Sequence, residues 1–441
     1  MDARELVDYA ASLDCIHCGL CLNTCPTYLL TGVESSSPRG RIHLMRSVAE
    51  DELQADADYA EELDFCLLCR HCESVCPSGV RFGALMEHAR SALEPVRERG
   101  PLARLARRAG FDLVLRDRSA LRAAATVGRV AQRLGLVRLA ARIGGQRARG
   151  LADAPAIPPA AERARLPERT PAAGTRRSTA LLLEGCVMPE LLGATNRATL
   201  RVLAACGFEV HVAREHVCCG SLHAHNGEAS GARALARETL EACDARSDEG
   251  GTPLPLVVNS AGCGSHLKEL APAFAGQPDL ERRARALSAR TLDLSEALTR
   301  GPGAEGLAAL LARVPTPARS VRAAWDDPCH LLHGQHIARE PRAILGRIPG
   351  LELVPMELAE SCCGSAGIYS LLRPADARRV LEPKLAALAA SGAEILVTAN
   401  PGCQLQWAAG VRRAGLAVRV LHLAEVLDEF VVSVARPATA S

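Results

Sequence analysis

The chain has 441 residues and a mass of 46.6 kDa, enough for two to four domains, with a formal net charge of +2 and a mean hydropathy of +0.05. Hydrophobic residues at 48% and charged residues at 23% exclude a disordered or fibrous chain, and 3% aromatics with near-neutral charge give no case for nucleic-acid binding. No apolar run approaches the ~20 residues that span a bilayer, and MDARELVDYAASLDC lacks a basic stretch followed by an apolar one, so neither a membrane span nor a signal peptide is expected.

Two counts stand out. There are 18 cysteines, and two lysines (Lys268, Lys384) against fifty arginines. GC-rich coding produces such an arginine excess, so arginine alone carries little weight. In a chain without a secretion signal the cysteines stay reduced, and their spacing is read for metal before disulfide.

The first segment, residues 1–98, holds two runs: Cys15-x2-Cys18-x2-Cys21-x3-Cys25-Pro26 and Cys66-x2-Cys69-x2-Cys72-x3-Cys76-Pro77. This is the bacterial ferredoxin spacing for 4Fe–4S clusters. Three thiolates two residues apart wrap one face of a cubane, and the fourth lies too far on to close the same cube. In two-cluster proteins it ligates the other cluster. The expected sets are therefore Cys15, Cys18, Cys21 and Cys76 for cluster one, and Cys66, Cys69, Cys72 and Cys25 for cluster two. Structural zinc is the competing reading, but zinc favours paired CxxC units over two three-plus-one runs. Between the runs, Pro38-Arg39-Gly40-Arg41-Ile42 precedes helix-like stretches at 42–53 and 56–63, so a helical ferredoxin domain is expected. His17 and His71 lie inside the cluster loops, either as exposed loop residues or as hydrogen-bonding tuners of potential.

Residues 99–176 contain no cysteine. Arg104, Arg107, Arg108, Arg122, Arg129, Arg133, Arg138 and Arg142 alternate with Leu and Val at helical spacing, which predicts two or three amphipathic helices. Pro155, Pro158, Pro159, Pro167 and Pro171 then mark a linker. The plain expectation for the arginines is a solvated helix face. The functional alternative is a basic face for anionic lipid or an acidic partner.

Residues 177–300 and 301–441 form an internal repeat of roughly 140 residues. LLLEGC, ending at Cys186, matches AAWDDPC, ending at Cys329. GFEVHVAREHVCCGS matches GLELVPMELAESCCGS, LVVNSAGC matches ILVTANPGC, and LDLSEAL matches LHLAEVL. From the first cysteine to the double cysteine lie 32 and 33 positions, and from there to the last cysteine 44 and 40. Apolar runs at 180–183, 256–259, 351–355 and 395–398 predict buried strands, with helices over 231–246 and 375–390 between them. The expected fold is therefore mixed: a helical two-cluster ferredoxin domain followed by a duplicated α/β domain with mostly parallel sheets. The cysteines follow the strands, at the carboxyl rim where open sheets bind ligands.

The first half offers Cys186, Cys218, Cys219 and Cys263, and the second Cys329, Cys362, Cys363 and Cys403. Adjacent side chains on an extended segment point apart, so packing alone seldom wants both cysteines of a pair. Four thiols per half meet a coordination count. A further iron–sulfur cluster, zinc, and free or disulfide-cycling thiols all remain open. Cys206 and Cys243 have no counterpart in the other half and read as buried hydrophobes. His216, His223, His225, His266, His330, His333 and His336 accompany these cysteines and are candidates for proton transfer or support of ligands.

CIHCGLCLNTCPTY, SPRGRIHLM, CLLCRHCESVCPSGV, LEGC, CCGSAGIY and TANPGCQ together resemble the iron–sulfur subunit of bacterial glycolate oxidase (glycolate dehydrogenase). That family lies within the wider ferredoxin plus double-CCG group, which includes subunits of heterodisulfide reductase, anaerobic glycerol-3-phosphate dehydrogenase and lactate oxidation systems. The resemblance runs from the first cysteine nearly to the C-terminus and is weakest in the Arg-rich middle. It implies an oxidoreductase complex in which FAD-containing partner chains oxidise glycolate to glyoxylate, and this chain passes electrons through its clusters toward a quinone. It also implies a cytoplasmic location, peripheral on the inner membrane. No GxGxxG follows a strand here, so the flavin belongs to a partner. The chain departs from heterodisulfide reductases in one respect. Their last motif is CxxC, whereas here Cys263-Gly264-Ser265-His266 and Cys403-Gln404-Leu405-Gln406 lack the second cysteine. That counts against disulfide-substrate chemistry and against the unusual cluster those enzymes bind. The alternatives are a D-lactate or glycerol-3-phosphate dehydrogenase subunit, or a thiol–disulfide reductase.

Overall fold

The computed structural model describes residues 3–144, 153–213, 215 and 218–435. The N-terminal part is helical and includes α1 (Pro26–Thr31), α2 (Pro38–Ala49), α3 (Ala57–Phe65), α4 (His71–Ser74) and α5 (Phe82–Leu93). Met45, Leu63, Leu85 and Met86 fill their shared core. Helix α2 begins four residues before the stretch expected from apolar periodicity. Ser37 accepts the Gly40 N–H as N-cap, and Pro38 occupies the first turn, where its missing N–H costs nothing. The helix stops at Ala49 rather than at residue 53, because Asp51 turns left-handed (φ 60°).

Three helices follow: α6 (Pro101–Arg108), α7 (Arg118–Arg133) and α8 (Leu136–Ile143). The proline-containing stretch then runs along the body, where Arg163 is buried and paired with Glu190 at 2.8 Å.

Two α/β units complete the chain. The first holds β1 (Arg169–Thr170), β2 (Ser178–Leu182), α9 (Gly193–Ala205), β3 (Phe208–Val212), α10 (Ser221–His225), α11 (Ala229–Asp244), β4 (Leu256–Val258), α12 (Ala261–Lys268), α13 (Pro278–Arg290), β5 (Thr291–Asp293), α14 (Leu294–Thr299) and α15 (Gly301–Leu311). The second holds β6 (Val321–Trp325), α16 (Cys329–Gln335), α17 (Arg339–Leu345), β7 (Leu351–Val354), α18 (Tyr369–Leu372), α19 (Pro374–Ser391), β8 (Ile395–Thr398), α20 (Pro401–Ala414), β9 (Arg419–His422) and α21 (Leu423–Leu427). The sheet orders are β1-β3-β2-β4-β5 and β7-β6-β8-β9. Apart from the antiparallel edge strand β1, all pairs are parallel, and the two orders superpose strand for strand.

The inner faces of both sheets share one core, in which Leu182, Val210, Ala323, Trp325 and Val397 meet α9 and α21. Each outer face carries a separate core, around Leu256 and Leu240 in one unit and Leu396 and Trp407 in the other. The repeated LDLSEAL and LHLAEVL are strand-to-helix corners closed by capping boxes. Asp293 pairs with Glu296 in one, and His422 with Glu425 in the other.

Candidate metal centres

Both ferredoxin loops turn through left-handed backbone at matching positions. These are His17 (φ 56°) and Gly19 (φ 85°) in the first loop, and Leu68 (φ 52°) and Arg70 (φ 63°) in the second. A non-glycine residue there costs about 1–2 kcal/mol, a strain typical of binding sites. The turns aim amide groups inward, so the Leu68 N–H reaches Cys66 Sγ at 3.4 Å.

The fold brings Cys25 of the first run together with Cys66, Cys69 and Cys72 of the second. The four thiols line one cavity, whose walls include Pro26, Arg41, Leu67 and Phe82. All four cysteines are buried. Burial pushes the Cys25 thiol up, against the pull of the Arg41 guanidinium, and pushes Cys72 well up. The donors are sulfur alone, set around a void. Among the described residues, no three His, Cys, Asp or Glu converge on a position for a single ion. This donor set fits a cluster of several irons better than one zinc.

Cys15, Cys21 and Cys76 pack against the same helical core, and Cys18 is exposed beside them. The first loop therefore lies at the surface, and the second is enclosed. The segment SPRGRI holds both. Arg39 Nη1 donates to the His17 carbonyl at 3.0 Å, while the fully buried Arg41 donates to Thr27 Oγ1 and the Ser36 carbonyl. Gly40 is required between them, since a Cβ would lie 1.9 Å from the Glu34 carbonyl oxygen. His17 is exposed with Nε2 3.1 Å from Arg46, whereas His71 is buried and stacked on His333 at 4.1 Å. Burial, and then His333, lower the His71 pKa to about 4.

In the α/β units every paired-motif cysteine lies beyond the carboxyl end of its strand. In the first unit the sulfurs form an unbroken line of side-chain contacts, Cys186 to Cys218, Cys218 to Cys219, and Cys219 to Cys263. In the second, Cys362 touches both Cys329 and Cys363, and Cys363 Sγ lies 3.2 Å from Cys403 Sγ. Hydrogen bonds from Cys362 and Cys403 hold Cys363 well below the usual thiol range, with Lys384 adding to the effect. The glycine after each pair is left-handed (Gly220 φ 85°, Gly364 φ 84°). A Cβ there would press on the carbonyls of Ala232 and Ala377, at 2.9 and 2.5 Å. Cys206 and Cys243 are completely buried, and burial raises each thiol to about 12, which suits small hydrophobes.

Cys362 also contacts Cys69 of the enclosed ferredoxin cavity. Leu67, Tyr369 and Val380 pack around this junction. His330 Nε2 lies 2.8 Å from the Leu68 carbonyl, so the second ferredoxin loop is seated directly on the second unit.

The histidines divide by role. His223 is buried against the Phe111 carbonyl at 3.0 Å, and His336 is an exposed left-handed C-cap. His333 bridges Ser74 and the Glu360 carbonyl, and His216 lies outside the described residues. His225, His266 and His330 gather with Glu87, a residue of α5 that no sequence motif marks. Glu87 Oε1 is 2.6 Å from His225 Nδ1, and the His225 ring is 5.2 Å from His330 and 6.4 Å from His266. Burial opposes ionisation of Glu87, yet the His225 hydrogen bond and the neighbouring imidazoles hold it at about 2. A carboxylate with a depressed folded pKa stabilises above its unfolded value and loses that effect as pH falls. Glu87→Gln is therefore expected to cost about 1 kcal/mol at neutral pH. The penalty should shrink as pH drops from about 4.5 toward 2, as urea melts of wild type and variant across pH would measure.

Comparison with known proteins adds four observations. The cysteine-rich CCG domain matches residues 180–268 and 323–407, and the 4Fe–4S dicluster domain matches residues 11–80. The chain is 35% identical over 436 residues to the probable glycolate oxidase iron–sulfur subunit of Bacillus subtilis (strain 168), covering 97% of this chain and 95% of that protein. It is 33% identical over 433 residues to the glycolate oxidase iron–sulfur subunit of Escherichia coli (strain K12), covering 97% and 96%. Lactate utilization protein A of Shouchella clausii (strain KSM-K16) matches at 28% over 243 residues, covering 55% of this chain and 95% of that protein.

Proposed function

Starting from a chain that belongs to the glycolate oxidase iron–sulfur subunit family, we propose that it carries electrons from an FAD-bearing partner, which oxidises glycolate to glyoxylate, toward a quinone-type acceptor. The observation that carries this reading is the contact between Cys69 and Cys362, which joins the enclosed ferredoxin cavity to the thiols of the second CCG unit. Similarity to the glycolate oxidase subunits over 97% of this chain, against 55% of it for the lactate protein, favours glycolate.

In this reading Cys15, Cys18, Cys21 and Cys76 hold one 4Fe–4S cluster, and Cys66, Cys69, Cys72 and Cys25 the other. Bound there, such clusters supply one-electron transfer. The chain's own residues set the conditions. Arg41 places a buried cation in the wall of the enclosed cavity, and Arg90 donates to the carbonyls of Cys66 and Leu63 at 2.7 and 2.6 Å, pinning the loop. The exposed Cys18 loop, with Ile16 and Leu20 uncovered beside it, suits approach by a partner protein.

Cys186, Cys218, Cys219 and Cys263, and Cys329, Cys362, Cys363 and Cys403, are proposed to hold further clusters. The test is an iron and acid-labile sulfide count on the anaerobically purified chain. About twelve or sixteen irons are expected, since the ferredoxin sites alone account for about eight. A count near eight would remove metal from the CCG units. It would favour the dithiol reading, which the 3.2 Å Cys363–Cys403 contact supports.

A further inference from the structure

Helices α6–α8 are turned inside out relative to an ordinary surface helix. On a soluble protein the apolar stripe of an amphipathic helix faces the core and the charges face water. Here several arginines face the body. Arg107 pairs with Glu94 at 2.9 Å and Glu228 at 2.7 Å and lies 4.9 Å from the Phe111 ring centroid. Arg118 is buried against Glu184, and Arg129 donates to the Ile157 carbonyl. The apolar stripes face water instead: Leu102 and Leu105 on α6, Val127 and Val130 on α7 with its C-cap Leu134, and Leu136, Leu139 and Ile143 on α8. Leu102 is 82% exposed and Ile143 76%. Their spacings of three, four and seven residues make each set a single stripe. Neither α6 nor α8 has any buried residue.

The flanking charge is predominantly positive. Residues 101–143 carry ten arginines against Asp112 and Asp117, and no glutamate or lysine. Arg104, Arg108, Arg133, Arg138 and Arg142 are exposed and make no ion pair with another described residue. Asp117 is occupied as the N-cap of α7, accepting the Ala120 N–H. Exposed apolar stripes edged by unpaired arginines complement an anionic lipid surface, where apolar side chains enter the acyl boundary and guanidiniums stay at the phosphates. No helix among the described residues is long and apolar enough to cross a membrane, so the contact would lie in the interface plane.

We propose that this chain seats on an anionic lipid bilayer through the exposed faces of α6–α8. The inference rests on these residues alone and stands whether or not the electron-transfer reading holds.

The experiment is sedimentation of the full chain with vesicles of phosphatidylcholine, with or without phosphatidylglycerol, at low and high salt. The chain is expected to sediment with the phosphatidylglycerol vesicles at low salt, and to be released by high salt or by omitting the anionic lipid. The triple variant Leu105→Glu, Leu134→Glu, Ile143→Glu should weaken binding by about tenfold or more. All three sites are exposed, so its melting curve should match wild type. Three results would overturn the proposal: a wild-type chain that stays in the supernatant with anionic vesicles, equal binding to neutral vesicles, or a folded triple variant that binds like wild type. The first would assign the stripes to a protein partner instead.

Discussion

Cys66→Ser is expected to abolish acceptor reduction by the assembled glycolate oxidase-type complex while glycolate still reduces the partner's flavin. Cys66 is buried in the wall of the enclosed cavity, and its sulfur accepts the Leu68 N–H within the left-handed loop turn. A serine hydroxyl keeps the shape but is a hard, weakly acidic donor where soft thiolate is needed. The flavin belongs to another chain, so its half-reaction should survive. Stopped-flow bleaching of the flavin, followed beside turnover of an artificial acceptor, separates the two steps. Full acceptor reduction by the variant would sink the relay reading.

Lys384→Leu is expected to destabilise the chain by about 3–5 kcal/mol, the usual consequence of breaking a buried ion pair from one side. Lys384 is 1% exposed. Its Nζ lies 2.8 Å from Asp326 and donates to the carbonyls of Leu358, Ala359 and Ser361 at 2.7, 3.0 and 2.6 Å. Without it, a buried carboxylate and three carbonyls lose their cation. Burial already raises Asp326 to about 6 despite Lys384, so the stranded acid would take up a proton. In the first CCG unit the repeat places Leu183 at the position of Asp326, and it is buried in the outer core there. Adding Asp326→Leu to Lys384→Leu should therefore return about 1–3 kcal/mol of the loss, because it removes the stranded acid and leaves only the carbonyls. Urea unfolding of wild type, single and double variants measures this. A double variant no more stable than the single would contradict the account.

The pair also distinguishes the two CCG units. Lys384 lies near Cys362 and Cys363 and helps hold Cys363 toward thiolate, whereas in the first unit Cys219 is pushed well up by contacts with Cys218 and Cys263. The two units thus differ in which thiol is held down, Cys263 in the first and Cys363 in the second, and the set beside Lys384 adjoins the ferredoxin cavity.

Much of this architecture is legible in the amino-acid order because its causes are local. Cysteines two residues apart on one tight loop stay together however the rest folds, so the two ferredoxin runs announce their chemistry by spacing. The crossed position of Cys25 follows from the length of the x3 step before the proline. The duplication is visible because strand ends, paired cysteines and capping corners recur in register, and a short apolar run before each cysteine is enough to imply parallel α/β units. Boundaries were less legible. The start of α2 depended on a Ser-Pro cap rather than on apolar periodicity, and its end on one left-handed aspartate.

By itself, then, the sequence determined the mixed fold, the duplication and the two groups of thiols, since each rests on spacing within a few residues or on repetition of such spacing. Tertiary structure alone decided the contact of Cys69 with Cys362, the meeting of Glu87 with His225, and the burial of Lys384 on Asp326. These partners come from separate elements, and no local periodicity encodes which helix docks on which rim. It also decided the orientation of the Arg-rich helices. Periodicity shows that α6, α7 and α8 each have an apolar stripe. Which side faces water depended on acceptors elsewhere in the chain, Glu94, Glu228, Glu184 and the Ile157 carbonyl, which draw arginines inward and leave the leucines outside.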